Sequence, residues 1–368
     1  MQKNQTIIAQ TISGGLKFLA ITTFFLVIII VIIPFFLSVI KGKDIPPVDD
    51  SKLQLQVINI PDADNAFYDL DKTRDLININ NIPKGKNLAT DYLKSDEWDQ
   101  AVVKKLLDDN DKALQYFTDA ATKSKFQLPD ANHPAKISRD MPVTPLNNWR
   151  EASCLSSIKA IWLARNGEDK VALDEALKSI AIGNAIENSQ GLLITYLVGI
   201  GIKDTGLDTL QKVIAMIPRD SSVLEEYKLK LANYQAIGNA TPFVTEYLIS
   251  KQAWNNLERD DNNQFGLVSK ILIKNKFYFK KNLTISYYFD FYNQLAVEAE
   301  KDCFDSTKVQ VSAEPRVENS LIKMYFTENL IGKYSTYIPE LALNNALEKK
   351  CATENKLKET ILMMSNSK

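Results

Sequence analysis

The alternation of apolar and polar positions stops along residues 18–40. The stretch "FLAITTFFLVIIIVIIPFFLSVI" runs for 23 residues without a charge, between Lys17 and the pair Lys41 and Lys43. At about 1.5 Å per residue, a helix of that length crosses a hydrocarbon core of about 30 Å with some tilt, and Pro34 is tolerated there as a kink. The run exceeds the roughly 7–15 apolar residues of a cleaved signal peptide, and "LSVIKGK" offers no small-x-small cleavage site. The pattern predicts a short tail over 1–17, an uncleaved transmembrane helix over 18–40 and a linker over 41–60 with three prolines in its wider surroundings. A helical domain follows over 61–368, with a sub-boundary expected near 261–281.

Beyond residue 60 the apolar positions recur at helical spacing. Ala66, Leu70, Thr73 and Ile77 mark one face after Pro61; Trp98, Val102 and Leu106 mark the next, with Ser95 as the expected cap. Leu114, Phe117 and Ala121 continue the pattern after a break near Asn110. Residues 125–148 hold four prolines and no period, and read as a strap over the surface. The clearest pair of helices is "NNWREASCLSSIKAIWLARNGEDKVALDEALKSIAIGNAIENS", turning at Gly167, where a left-handed residue is needed. Next comes "GLLITYLVGIGIKDTGLDTLQKVIAMIP". Its uncharged run is too short for a bilayer, and Asp204 stands where a dinucleotide-binding loop needs its third glycine. It reads as a central helix buried on nearly all sides, in which Gly199 and Gly201 admit a close neighbour at a cost of about 1 kcal/mol each in helix propensity. Two further helices follow, capped near Ser221 or Ser222 and opened by Pro242. An aromatic-rich stretch comes next, and two helices complete the chain. The fold class is therefore all-α: one N-terminal transmembrane helix, then an irregular bundle of helical hairpins, solenoid-like in character.

Composition and charge narrow the chemistry. Of 368 residues, 45% are hydrophobic and 24% charged, with a net charge of −1, so no global field draws the protein to nucleic acid. Cys154, Cys303 and Cys351 lie far apart without metal-binding spacing, and each reads first as a buried apolar thiol. His133 is the single histidine, and a pair with Cys154 lacks a third group to orient it. The acidic run around Asn110 fails as a calcium loop, because Lys112 and Ala113 occupy a ligand position and the required glycine. No cofactor, metal or catalytic residue is predicted. One stretch is set apart by interleaved bases and rings: Lys274, Lys276, Phe277, Tyr278, Phe279, Lys280 and Lys281. That mixture suits an interface surface, although lysine stems also cover core aromatics.

The succession "NAFYDLDKTRDLI", "DDNDKALQYFTDAAT", "LARNGEDKVALDEAL", "GLLITYLVGIGI" and "ENLIGK" resembles uncharacterised bacterial proteins with one N-terminal span and a helical extracytoplasmic domain. The hairpins are similar to tetratricopeptide units in architecture only. The resemblance implies the same topology and brings no activity or site residue. Lys3 and Lys17 before the apolar run nearly balance Lys41, Lys43 and Lys52 after it. A lone N-terminal span commonly works as a signal anchor, so the body is expected outside the cytoplasm, at the bacterial inner membrane. The expected function is a membrane-anchored binding or scaffold protein of the bacterial envelope. Its partners are the bilayer through 18–40 and a protein or peptide; no nucleic acid is expected. The alternatives are an envelope enzyme of carboxylate-dependent glycan-hydrolase type, or a structural subunit of a secretion or surface assembly. Glu151, Glu225, Glu226, Asp260 and Asp261 are the candidate acids for the enzyme, and solvated helix faces also account for them.

Overall fold

The computed structural model describes residues 17–26, 28–79, 92–93, 98–132, 145–218, 223–234, 238–257, 267–301 and 326–365. They form α1 (17–26), a π-helical turn (Ile28–Ile32), α2 (Ile33–Lys41), α3 (Phe67–Lys72), α4 (Gln100–Asp109), α5 (Asp111–Ala121), α6 (Leu146–Arg165), α7 (Asp169–Glu187), α8 (Leu193–Met216), α9 (Val223–Ala232), α10 (Thr241–Leu257), α11 (Leu267–Lys274), α12 (Lys281–Ala299) and α13 (Leu330–Ser365). Among the described residues the only β pairing is an isolated bridge between Asn65 and Lys125, so the fold is all-α. The predicted break in the last helix does not occur: α13 continues through Pro339 for 36 residues.

The predicted span over 18–40 falls on α1, the π-turn and α2, with position 27 outside the described residues. Among the described residues no helix is long and apolar enough to cross a membrane. Phe18, Phe24, Phe35, Phe36, Val39 and Ile40 are nevertheless exposed, each more than half.

The chain divides into two compact units. The smaller comprises Met1–Asp49, Lys251–Phe289 and Ala313–Pro339; the larger comprises Asp50–Ser250, Asp290–Ser312 and Glu340–Lys368. In the smaller unit, residues 42–44 are docked, whereas the sequence pattern had placed them in a linker. The Asp44 carboxylate accepts the Asn282 and Leu283 backbone N–H groups at 2.8 and 3.1 Å, capping α12 with a negative charge at the positive end of its dipole. The Lys280 ammonium donates to the Lys43 carbonyl at 2.8 Å and pairs with Glu328. Asn329 takes a left-handed backbone (φ 53°), and its side-chain oxygen accepts from the Lys280 N–H and the Thr284 hydroxyl.

In the larger unit, α6, α7 and α8 pack antiparallel in succession. Ser153 meets Ser179 and Ser156 meets Glu175 across α6 and α7. Gly167 turns the hairpin at φ +78°, the left-handed conformation its position demands. Leu173, Ile180, Leu207, Leu210 and Tyr227 fill the core between α7, α8 and α9. Ala66, Leu70 and Thr73 are buried as their spacing predicted. Phe67, Phe126 and Trp149 meet edge to face at 5.5–6.1 Å, which fixes the strap's first residues against α3 and α6. The rest of that strap, residues 133–144, lies outside the described residues. Asp99, not the expected Ser95, caps α4 by accepting from the Ala101 and Val102 N–H groups; Ser95 lies outside the described residues. The break before α5 has a cause as well: the buried Asn110 amide donates to the Asn78 and Leu106 carbonyls.

Candidate functional site

The close approach of α7 and α8 begins with glycine. A Cβ at Gly183 would lie 2.4 Å from the Lys203 backbone nitrogen, one at Gly199 2.8 Å from the Ile186 side chain, and one at Gly206 2.8 Å from Ile180. Only hydrogen fits at those three positions. The expectation that Gly201 serves the same purpose is not met. A Cβ there would meet nothing nearer than the Lys349 ammonium at 3.7 Å, because Gly201 faces away from α7.

What Gly201 faces is a groove of about 910 Å³. Its floor is one face of α8, from Ile194 through Leu197, Val198 and Thr205 to Lys212 and Ala215. Asn147, Arg150, Glu151 and Cys154 of α6 form one wall, Leu93 closes part of it, and Lys349 of α13 overhangs it. The face runs from Ile194 to Ala215 along the helix, about 30 Å at 1.5 Å per residue. The reading of α8 as buried on nearly all sides is thus corrected: Ile194 is 53% exposed, and this face is open.

On its other side α8 carries a buried charge cluster. Lys203 is fully buried, and its ammonium lies 3.1 Å from the Glu187 carboxylate, 2.6 Å from Glu354 and 3.3 Å from the Asn184 side-chain oxygen. Burial pushes the Glu187 carboxyl up, against the pull of Lys203. Burial, then Glu187 and Glu354, raises the Tyr196 hydroxyl well above its ordinary value, and that hydroxyl has no hydrogen-bond partner among the described residues. Beyond the cluster, Lys356 holds Asp204 at 2.5 Å and Asp208 at 2.7 Å, while Gln211 donates to the Thr360 hydroxyl. These contacts advance together along both helices, so this part of α13 lies parallel to α8. Lys203 gave no sign of burial in the sequence; the signal that finds it is the pair of flanking glycines at helical spacing, Gly199 and Gly206.

The groove's titratable groups have unequal settings. Glu151 is half-buried, and burial raises its carboxyl against the opposing charge of Arg150. The Cys154 thiol, buried and free, is pushed up to about 12 by burial and by Glu151. A thiol held there has almost no thiolate near neutral pH and is a poor nucleophile, and His133 lies outside the described residues. Cys351 is disulfide-bonded, which corrects its reading as a buried apolar thiol. Cys303 lies outside the described residues.

Of the candidate acids among the described residues, Glu151 lines the groove and Glu225 and Glu226 do not. Glu225 and Glu226 are exposed on α9; Lys230 and Lys170 hold the Glu226 carboxyl below its ordinary value, at 2.9 and 3.6 Å. Asp260 and Asp261 lie outside the described residues, and only Glu151 lines the groove. The stretch proposed as an interface surface is placed mostly inside. Phe277, Tyr278 and Phe279 are 1–3% exposed and Lys280 is buried; Lys274 and Lys276 are exposed and Lys281 is half-buried. The rings pack into the smaller unit, where Trp254 stacks near Phe279 and Tyr288. Phe277, Tyr278, Phe279 and Lys280 thus form a buried turn between α11 and α12 and not an exposed aromatic surface.

Compared with known protein families, curated proteins and solved structures, the chain matches none.

Proposed function

We propose that the chain is a membrane-tethered binding module of a bacterial envelope, and that the groove along α8 receives a segment of a partner protein. The groove carries the reading: about 910 Å³ is ample for a peptide's side chains, and its lining mixes an apolar end at Ile194, Leu197 and Val198 with polar and charged groups farther along. The exposed apolar side chains of 18–40 support a bilayer as their surroundings, since a patch of that kind on a water-facing helix is costly. The disulfide at Cys351 supports the extracytoplasmic orientation that lysine counting left nearly tied, because disulfides persist in oxidising compartments. A solenoid-like stacking of hairpins is consistent with three successive antiparallel helices, α6 to α8. The glycan-hydrolase alternative loses support, since a retaining or inverting mechanism needs two opposed carboxyls and the other groove acids, Asp204 and Asp208, are tied to Lys356.

Site-specific photo-crosslinking tests the reading. A photoreactive residue is placed at Leu197 or Thr205 in the full-length chain in native membranes, with Val171, exposed on α7, as control. The same partner is expected at both groove positions and not at Val171. Equal labelling from all three positions, or none from the groove, would contradict it.

A further inference from the structure

Resting on the groove as the binding site, we infer that its occupant is a peptide segment carrying carboxylates beside apolar side chains. The charges in the groove decide this. Asp204 and Asp208 share the single Lys356 ammonium at 2.5 and 2.7 Å, which leaves one negative charge, while the Lys212 ammonium donates to the neutral Leu93 carbonyl and keeps its positive one. Glu151 is half-buried beside Arg150 and is counted as a negative charge. Arg150 and Lys349, both exposed, then remain, and neither forms an ion pair among the described residues. The Lys349 ammonium lies over the bare backbone of Gly201, where no side chain separates it from an occupant. Four cations, Arg150, Lys212, Lys349 and Lys356, stand against three carboxylates, Asp204, Asp208 and Glu151, so 4 − 3 leaves one net positive charge at the groove, and an arginine fork offers two parallel donors to one carboxylate.

The apolar part of the occupant follows from the floor. Ile194, Leu197 and Val198 stand one to two turns before Gly201, at the spacing that receives the apolar positions of an amphipathic helix. A concave face about 30 Å long accepts a helix or an extended segment, whereas a bilayer surface is too broad to enter it. Charge complementarity of this kind sets specificity and association rate more than total affinity.

The test uses the full-length chain in lipid nanodiscs and three matched fluorescent peptides of about 20 residues. Each carries the same leucine stripe, with glutamate, glutamine or lysine on the other positions. Binding is read by anisotropy as the difference between wild type and Gly201→Trp, which fills the groove. The glutamate peptide is expected to bind at least about tenfold tighter than the lysine peptide, a difference of about 1.4 kcal/mol. The double variant Arg150→Glu with Lys349→Glu is expected to abolish or reverse that order. Equal or tighter binding of the lysine peptide, or an unchanged order in the double variant, would overturn the inference while leaving the groove as a binding site. If no peptide distinguishes wild type from Gly201→Trp, the groove reading itself fails and the inference fails with it. Discrimination seen only in anionic-lipid discs and indifferent to Gly201→Trp would assign Arg150 and Lys349 to a bilayer, and would likewise overturn it.

Discussion

Gly199 and Gly201 stand two residues apart on one helix and meet opposite surroundings. Gly199 is pressed against Ile186 and Glu187 of α7, on the closed side that also holds the Lys203 cluster; Gly201 opens into the groove. On the closed side, hydrogen-sized positions bring backbones together and leave charges no access to water, so every ion must find a partner inside. On the open side the same residue type leaves space unfilled. The contrast separates two kinds of variant: those that break the closed side should unfold the larger unit, and those that fill the open side should leave the fold intact and remove binding.

The largest effect is expected at Lys203. Replacing it with methionine removes the buried ammonium that lies 3.1 Å from Glu187 and 2.6 Å from Glu354, and breaking a buried pair in this way costs about 3–5 kcal/mol. Denaturant unfolding of the purified chain should show that loss. The triple replacement Lys203→Met, Glu187→Leu and Glu354→Leu should recover most of it, because an apolar cluster of similar volume needs no ion pairing. If the single variant is as stable as wild type, the ammonium is not sealed between α7 and α13. Next in size is Gly183→Ala. Its Cβ would lie 2.4 Å from the Lys203 nitrogen and 2.7 Å from the Gly199 carbonyl oxygen, both rigid backbone, so the two helices must separate. Overpacking of this kind costs about 1–3 kcal/mol, and alanine's better helix propensity returns about 1 kcal/mol at most. A net gain in stability would show that α7 and α8 are farther apart than described.

A smaller, pH-dependent effect sharpens the comparison at the start of α8. Glu246 of α10 accepts the Leu193 N–H at 3.1 Å, and burial raises its carboxyl above the ordinary value of 4.5. A carboxyl raised in the folded state binds its proton more tightly there than in the unfolded chain. Its contribution is present in full below the unfolded value and is lost as pH rises through the folded one. Glu246→Gln, which cannot ionise, should remove that component. Stability measured from pH 4 to pH 7 should fall less steeply in the variant than in wild type. Identical slopes would mean that the carboxyl is not desolvated.

Much of the closed side was legible in the sequence. The all-α class followed from helical periodicity, and the turn at Gly167 followed from a glycine after a charged helix end. The burial of Ala66, Leu70 and Thr73 followed from spacing alone. The open side was not legible. Local composition records that Gly199 and Gly201 lack side chains, but not which residue points at a neighbouring helix, because that depends on where α6 and α13 arrive from distant parts of the chain. Lys203 was hidden for the same reason: its partner Glu354 lies 151 residues away. The aromatic stretch at 277–279 misled because rings between lysines look alike at a surface and at a tight turn between helices. Only the Asn329 contacts and the packing of Trp254 decide for the turn.

The most direct test of the two-sided account of α8 is a paired measurement on Gly201→Trp in the full-length chain. Melting temperature and binding of the glutamate-bearing peptide are read from the same preparation. A side chain at this position clashes with no backbone and improves helix propensity by about 0.5 kcal/mol, so melting is expected to be unchanged or slightly raised while peptide binding is lost. A variant that melts well below wild type would contradict the open face, and one that melts normally and still binds would contradict the groove as the place where binding occurs.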